Sequence, residues 1–171
     1  MNNIFITLML VFFSSTSLSA ENVRFSDYES HLRIKEISFE SPYIKFKGQI
    51  EVEGTLVFRL DMLTQTEFGE PMFADFIPRN DRLDLFPQVI EGRYPKKLVQ
   101  LGVSNMHEIY GQFVGDDVEH KTNEVRIHGT ALFESYTTTI ECDSRKYFAT
   151  LVKFLPSKDI ASTDQKSIIG C

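Results

Sequence analysis

The sequence predicts a mainly β protein: a small five-stranded barrel with one short helix, with a β-sandwich as the alternative. Three observations carry this. Short alternating segments rich in Val, Ile, Phe, Tyr and Thr recur along the chain, broken by Gly, Pro, Asp and Asn. Beyond residue 20 no long apolar run has the 3.6-residue spacing of a helix. Two distant segments, 50–58 (IEVEGTLVF) and 125–133 (VRIHGTALF), carry Gly-Thr at the same place in the same alternation.

Taken in order, residues 4–13 (IFITLMLVFF) form an uncharged apolar core, followed by small residues ending Ser17-Leu18-Ser19-Ala20. Ten apolar residues are too few to span a bilayer about 30 Å thick. Apolar core, small residues and then polar chain is the order of a secretory signal peptide, 1–20, with cleavage expected after Ala20. The segment before the core, Met1-Asn2-Asn3, departs from the usual pattern in having no Lys or Arg. The expected location is therefore the periplasm or the exterior. Residues 21–155 are expected to form a single domain and 156–171 a tail.

Residues 21–41 read as an edge strand or loop, since 33–39 (RIKEISF) alternates. The clearest strand is 43–60. Ile50, Val52, Gly54, Leu56, Phe58 and Leu60 point one way, and Gln49, Glu51, Glu53, Thr55 and Arg59 the other. In both Gly-Thr segments a glycine falls within the apolar face, where its use is a bulge or sharp bend. Two long strands bent at mid-length suit the closure of a small barrel.

Residues 61–97 hold four of the six prolines, so they cannot be continuous sheet. Short strands are expected at 72–77 and within 83–90. A helix is expected at 105–112 (NMHEIYGQ), capped by Ser104, with Glu108 favourable to its dipole. Segments 137–142 and 147–155 read as a hairpin turning at Asp143-Ser144. Strands followed by a helix between the third and fourth members is the order of an OB-type barrel.

Cys142 and Cys171 are the two cysteines. An even count in an exported chain points to one disulfide tying the tail back. Closing that loop stabilises by roughly 3–4 kcal/mol in the chain-entropy treatment. The remaining options are two free thiols, or pairing of Cys171 with another chain.

With 24 acidic against 18 basic residues and a net charge of −6, the protein repels phosphate backbones, which argues against nucleic-acid binding. No phosphate loop, dinucleotide fingerprint or nucleophile elbow occurs, and no cofactor is expected. His107, Asp116, Asp117 and His120, with Glu108 beside them, form a candidate metal or acid–base group. His128 lies on the polar face of the second Gly-Thr strand. None of these residues has metal-ligand spacing, and a solvated acidic turn is the competing reading of 116–120. Arg79, Arg82, Arg93 and Tyr94 are the candidate partner contacts, because Arg and aromatic side chains supply much of the energy of protein interfaces. The phenylalanines of 61–97 are expected to fold into the core instead, with nearby Asp75, Asp81 and Asp84 pairing the arginines.

Residues 125–154, with Gly129-Thr130, Leu132-Phe133 and a last apolar strand, resemble the C-terminal part of small exported bacterial OB-like domains of unknown function. The His-rich segment of those domains is replaced here by Thr138-Thr139-Ile140-Glu141. The resemblance implies an exported bacterial OB-like module and no activity. The leading expectation is a non-enzymatic periplasmic module that binds a protein partner of the cell envelope, as an inhibitor, immunity or accessory protein would. The alternatives are a metal-dependent or hydrolytic periplasmic enzyme, and a structural subunit of an envelope assembly.

Overall fold

The computed structural model describes residues 23–38, 42–59, 73–113 and 124–163. The expected signal segment, the 114–123 connection and Cys171 lie outside them. In chain order the elements are β1 (Arg24–Phe25), β2 (Arg33–Ser38), β3 (Tyr43–Lys47), β4 (Gln49–Arg59), β5 (Phe73–Pro78), a 3₁₀ turn (Asn80–Leu85), β6 (Val89–Glu91), β7 (Leu101–Val103), α1 (Met106–Phe113), β8 (Glu124–Glu141) and β9 (Ser144–Thr163).

The protein is mainly β. β1 and β6 pair by themselves, and the other strands form one seven-stranded sheet in the order β2-β3-β8-β4-β5-β7-β9. Because β9 also pairs with β8, five of the strands (β8, β4, β5, β7 and β9) close into a ring. Neighbours in the ring are antiparallel except β7 and β9, which run parallel. Among the described residues there is no second large sheet of the kind a sandwich needs.

The alternation in 50–58 places side chains as expected: Ile50, Val52, Leu56 and Phe58 are buried, whereas Glu51 and Glu53 are exposed. The predicted single strand 43–60 is broken at Gly48, whose φ of 118° suits glycine alone. β3 and β4 nevertheless both pair with β8, so they continue one another along it.

β8 and β9 turn at Cys142 and Asp143, one residue earlier than expected. Both have positive φ (47° and 52°), the signature of a two-residue type I′ turn whose twist matches that of its strands. β9 continues to Thr163, well into the expected tail, because β8 offers it partners as far as Glu124.

The helix forms as predicted, but Ser104 does not cap it. Its hydroxyl donates to the Ala149 carbonyl at 3.1 Å. The helix start is set instead by Asn105, whose carbonyl accepts from the Glu108 N–H at 3.1 Å. The Asn105 amide accepts from the Leu151 N–H and donates to the Leu151 carbonyl, both at 2.9 Å. α1 is thereby fastened to β9. It contributes buried Ile109 to the core, and its Tyr110 and Phe113 meet Phe58 and Phe154 edge to face.

The described part of the Pro-bearing excursion, 73–97, folds inward. Phe76 and Phe86 have no exposed surface, and Phe86 lies against Tyr136, which stacks on Tyr147. Each phenol finds a carbonyl. Tyr136 donates to Pro87 at 2.9 Å and Tyr147 to Lys96, while Tyr147 also accepts from the Val89 N–H at 3.1 Å. Burial pushes both phenols above their usual pKa, Tyr136 the further.

Candidate functional site

The two Gly-Thr segments lie side by side. In the β4–β8 register Gly54 faces Gly129, and the row extends through Pro78 on β5 and Pro156 on β9. Four neighbouring strands thus carry Pro-Gly-Gly-Pro across the sheet. The environments on either side of the glycine pair match. A Cβ on Gly54 would meet the Ile77 carbonyl oxygen at 2.4 Å and the Phe76 ring at 2.5 Å. One on Gly129 would meet the Leu155 carbonyl oxygen at 2.4 Å and the Phe154 ring at 2.8 Å. Phe76-Ile77-Pro78 and Phe154-Leu155-Pro156 therefore occupy equivalent places, so the repeat is longer than the Gly-Thr segments alone.

The prolines shape the surface outside this row. Pro has no N–H to offer a ladder. β5 ends at Pro78, and the β8–β9 register shifts between Ile127 and Gly129, the residue paired with Pro156. Two backbone carbonyls next to the row find equivalent substitutes. Glu53 O accepts from the Arg79 N–H at 3.0 Å, and His128 O accepts from the Ser157 hydroxyl at 3.0 Å.

The result is an open groove of 570 Å³ centred on the glycine pair. Glu53, Thr55, His128 and Thr130 line it from β4 and β8, Ile77 to Asn80 form one wall, and Ser157 stands at the other. The size falls within the range of small-ligand sites. Thr55 Oγ1 lies 2.7 Å from His128 Nδ1, across the strand pair. Arg79 holds Asp81 in a forked pair, Nε to Oδ1 at 2.6 Å and Nη2 to Oδ2 at 2.8 Å, and also pairs with Glu53. The hydrogen bond from Arg79 holds Asp81 below the usual carboxylate range, and the two carboxylates raise the pKa of Arg79, Asp81 through its hydrogen bonds foremost. These groups are exposed, so the pairs add little to stability and act to orient the guanidinium. One side of the groove is thus charged, and the other is an imidazole flanked by hydroxyls. Ser157 donates to a backbone carbonyl and not to the imidazole, so the two do not form a nucleophile–base pair.

Of the four predicted partner contacts, Arg79 alone lines the groove. Arg82 is exposed on the 3₁₀ turn. Arg93 and Tyr94 meet the β8–β9 turn. Tyr94 donates to Asp143 at 2.9 Å, the Arg93 guanidinium lies 5.3 Å from the Tyr94 ring centre, and the Arg93 carbonyl accepts from Arg145 at 2.6 Å. The expected Asp75 partner differs as well: Asp75 pairs with Arg59. Of the metal candidates, His107 is exposed on α1, and Asp116, Asp117 and His120 lie outside the described residues. Among the described residues no three His, Cys, Asp or Glu side chains gather as a metal site. The groove residues Glu53, Thr55, Thr130 and Ser157 were missed as a group. Their signal in the sequence is the Gly-Thr repeat together with its second half, Phe-x-Pro, at 76–78 and 154–156.

No family model matches the chain, and no curated protein or solved structure matches it either.

Proposed function

We propose that this protein is an exported, periplasmic binding module of OB type, which recognises a polar segment of a protein partner in the groove over Gly54 and Gly129. The ring order, its parallel β7–β9 pair and the helix between β7 and β8 support the OB-type reading. The observation that carries the binding role is the groove itself. It is open, with an oriented guanidinium on one side, beyond the end of β5, and Thr55, His128 and Ser157 set on β4, β8 and β9. Such a surface matches the exposed amide and carboxylate groups of a peptide segment. Export rests on the apolar core and small residues of 1–20, and the reading includes a Cys142–Cys171 bridge formed in an oxidising compartment.

The test is affinity. A partner is cross-linked to the purified protein in an envelope extract and then titrated by calorimetry. Arg79→Glu, which reverses the oriented charge in the groove, is expected to weaken binding at least about tenfold. Arg82→Glu, exposed but outside the groove, is expected to leave it unchanged. Equal losses from both substitutions, or no saturable partner, would sink the reading.

A further inference from the structure

β2 ends the strand order of the large sheet and pairs only with β3, so among the described residues its other edge carries no strand. An open edge offers a row of unpaired backbone groups to another strand. Five of the six β2 residues are exposed, Ile34 and Ile37 among them at 46% and 47%. The β2–β3 register explains how these two isoleucines are set. Ile34 faces Phe46, Glu36 faces Lys45 and Ile37 faces Ile44, with Lys35 bulged out between. Cross-strand partners share a face, and Phe46 and Ile44 are both buried on the core side. The bulge therefore brings Ile34 and Ile37 onto one face, just beyond the core.

The order Arg33-Ile34-Lys35-Glu36-Ile37-Ser38 is also complementary to itself. When two copies run antiparallel about a two-fold axis between Lys35 and Glu36, Ile34 meets Ile37 of the other copy, and Lys35 meets Glu36. Ile34 falls opposite Ile37 and Lys35 opposite Glu36, each twice over, while Arg33 meets Ser38. Tyr43 donates a hydrogen bond to Glu36, which positions the carboxylate. We infer that β2 is a self-association edge, and that the partner it fits is a second copy of this chain, joined strand to strand into a continuous sheet. This use of the fold is independent of the groove.

Six residues make a small interface, so the dimer is expected to be weak and concentration-dependent. Sedimentation equilibrium on the protein recovered after full-length expression is the experiment. The wild type is expected to pass from monomer to dimer with rising concentration. Lys35→Glu places two carboxylates opposite each other at both ends of the pair, and is expected to weaken dimerisation about tenfold or more. The charge-swapped variant K35E/E36K is expected to recover it, which a variant that merely failed to fold would not do. A wild type that stays monomeric to millimolar concentration overturns the inference. So does a dimer that K35E leaves equally tight, because its interface would then lie elsewhere.

Discussion

At Gly54 the absent side chain is what lets β5 lie so close to β4, since a Cβ there runs into backbone as well as a ring. A ring can rotate away, but the carbonyl oxygens of Ile77 and Leu155 belong to paired strands and cannot. Gly54→Ala and Gly129→Ala are each expected to destabilise by about 1–3 kcal/mol, as overpacked sites do, read from the urea midpoint. Midpoints equal to that of the wild type would show that the strands are less tightly opposed than the register implies. Asp75 makes a second argument at this scale. It is buried, and desolvation raises its pKa despite the opposing attraction of Arg59. An acid whose folded-state pKa lies above its unfolded value binds protons more readily when folded. Its ionisation therefore costs stability as pH rises through the folded pKa. Relative to Asp75→Asn, the wild type is expected to gain stability as pH falls from neutral towards 4. A difference independent of pH would contradict the assignment.

At the scale of the element, α1 is short and would be marginal in isolation. Packing and Asn105 hold it. The amide of Asn105 pairs with both backbone groups of Leu151 as a neighbouring strand would. Asn105→Ala leaves that N–H and carbonyl without these partners, and is expected to cost about 1–3 kcal/mol. Hydrogen exchange of the Leu151 amide should accelerate along with the loss of stability. Protection unchanged at Leu151 would show that the helix is held by its apolar contacts alone. The β8–β9 hairpin is similarly tied: Tyr94 on Asp143 and Arg145 on the Arg93 carbonyl link its tip to the loop after β6. Arg93 and Tyr94 were expected to contact a partner. Their surroundings give them work within the fold, although the same residue types suit both uses.

For the whole molecule, the equivalent pairs β4–β5 and β8–β9 build the two halves of the groove from one repeated pattern: Gly-Thr, then Phe-x-Pro. On the proposed export reading, the protein recovered from the cell envelope is expected to begin at Glu21, with a mass that rises by two hydrogens on reduction if Cys142 and Cys171 are joined. A protein recovered intact from Met1 in the cytosol would refute the export reading, and an unchanged mass on reduction would refute the bridge.

The sequence by itself determined the mainly β class of the fold, the inward faces of β4 and β8, the helix before β8 and the place of a glycine within each of those faces. These follow from local rules: side chains alternate in a strand, and only a residue without Cβ fits a close backbone approach. It did not determine that Gly54 would face Gly129, that Pro78 and Pro156 would align with them, or that Ser157 would turn its hydroxyl to the carbonyl of His128. It also placed the turn one residue late and ended β9 too early. Each of these depends on register between strands far apart in the chain. Register is decided by the sum of core contacts and not by any local pattern, so the groove exists only once the sheet has closed.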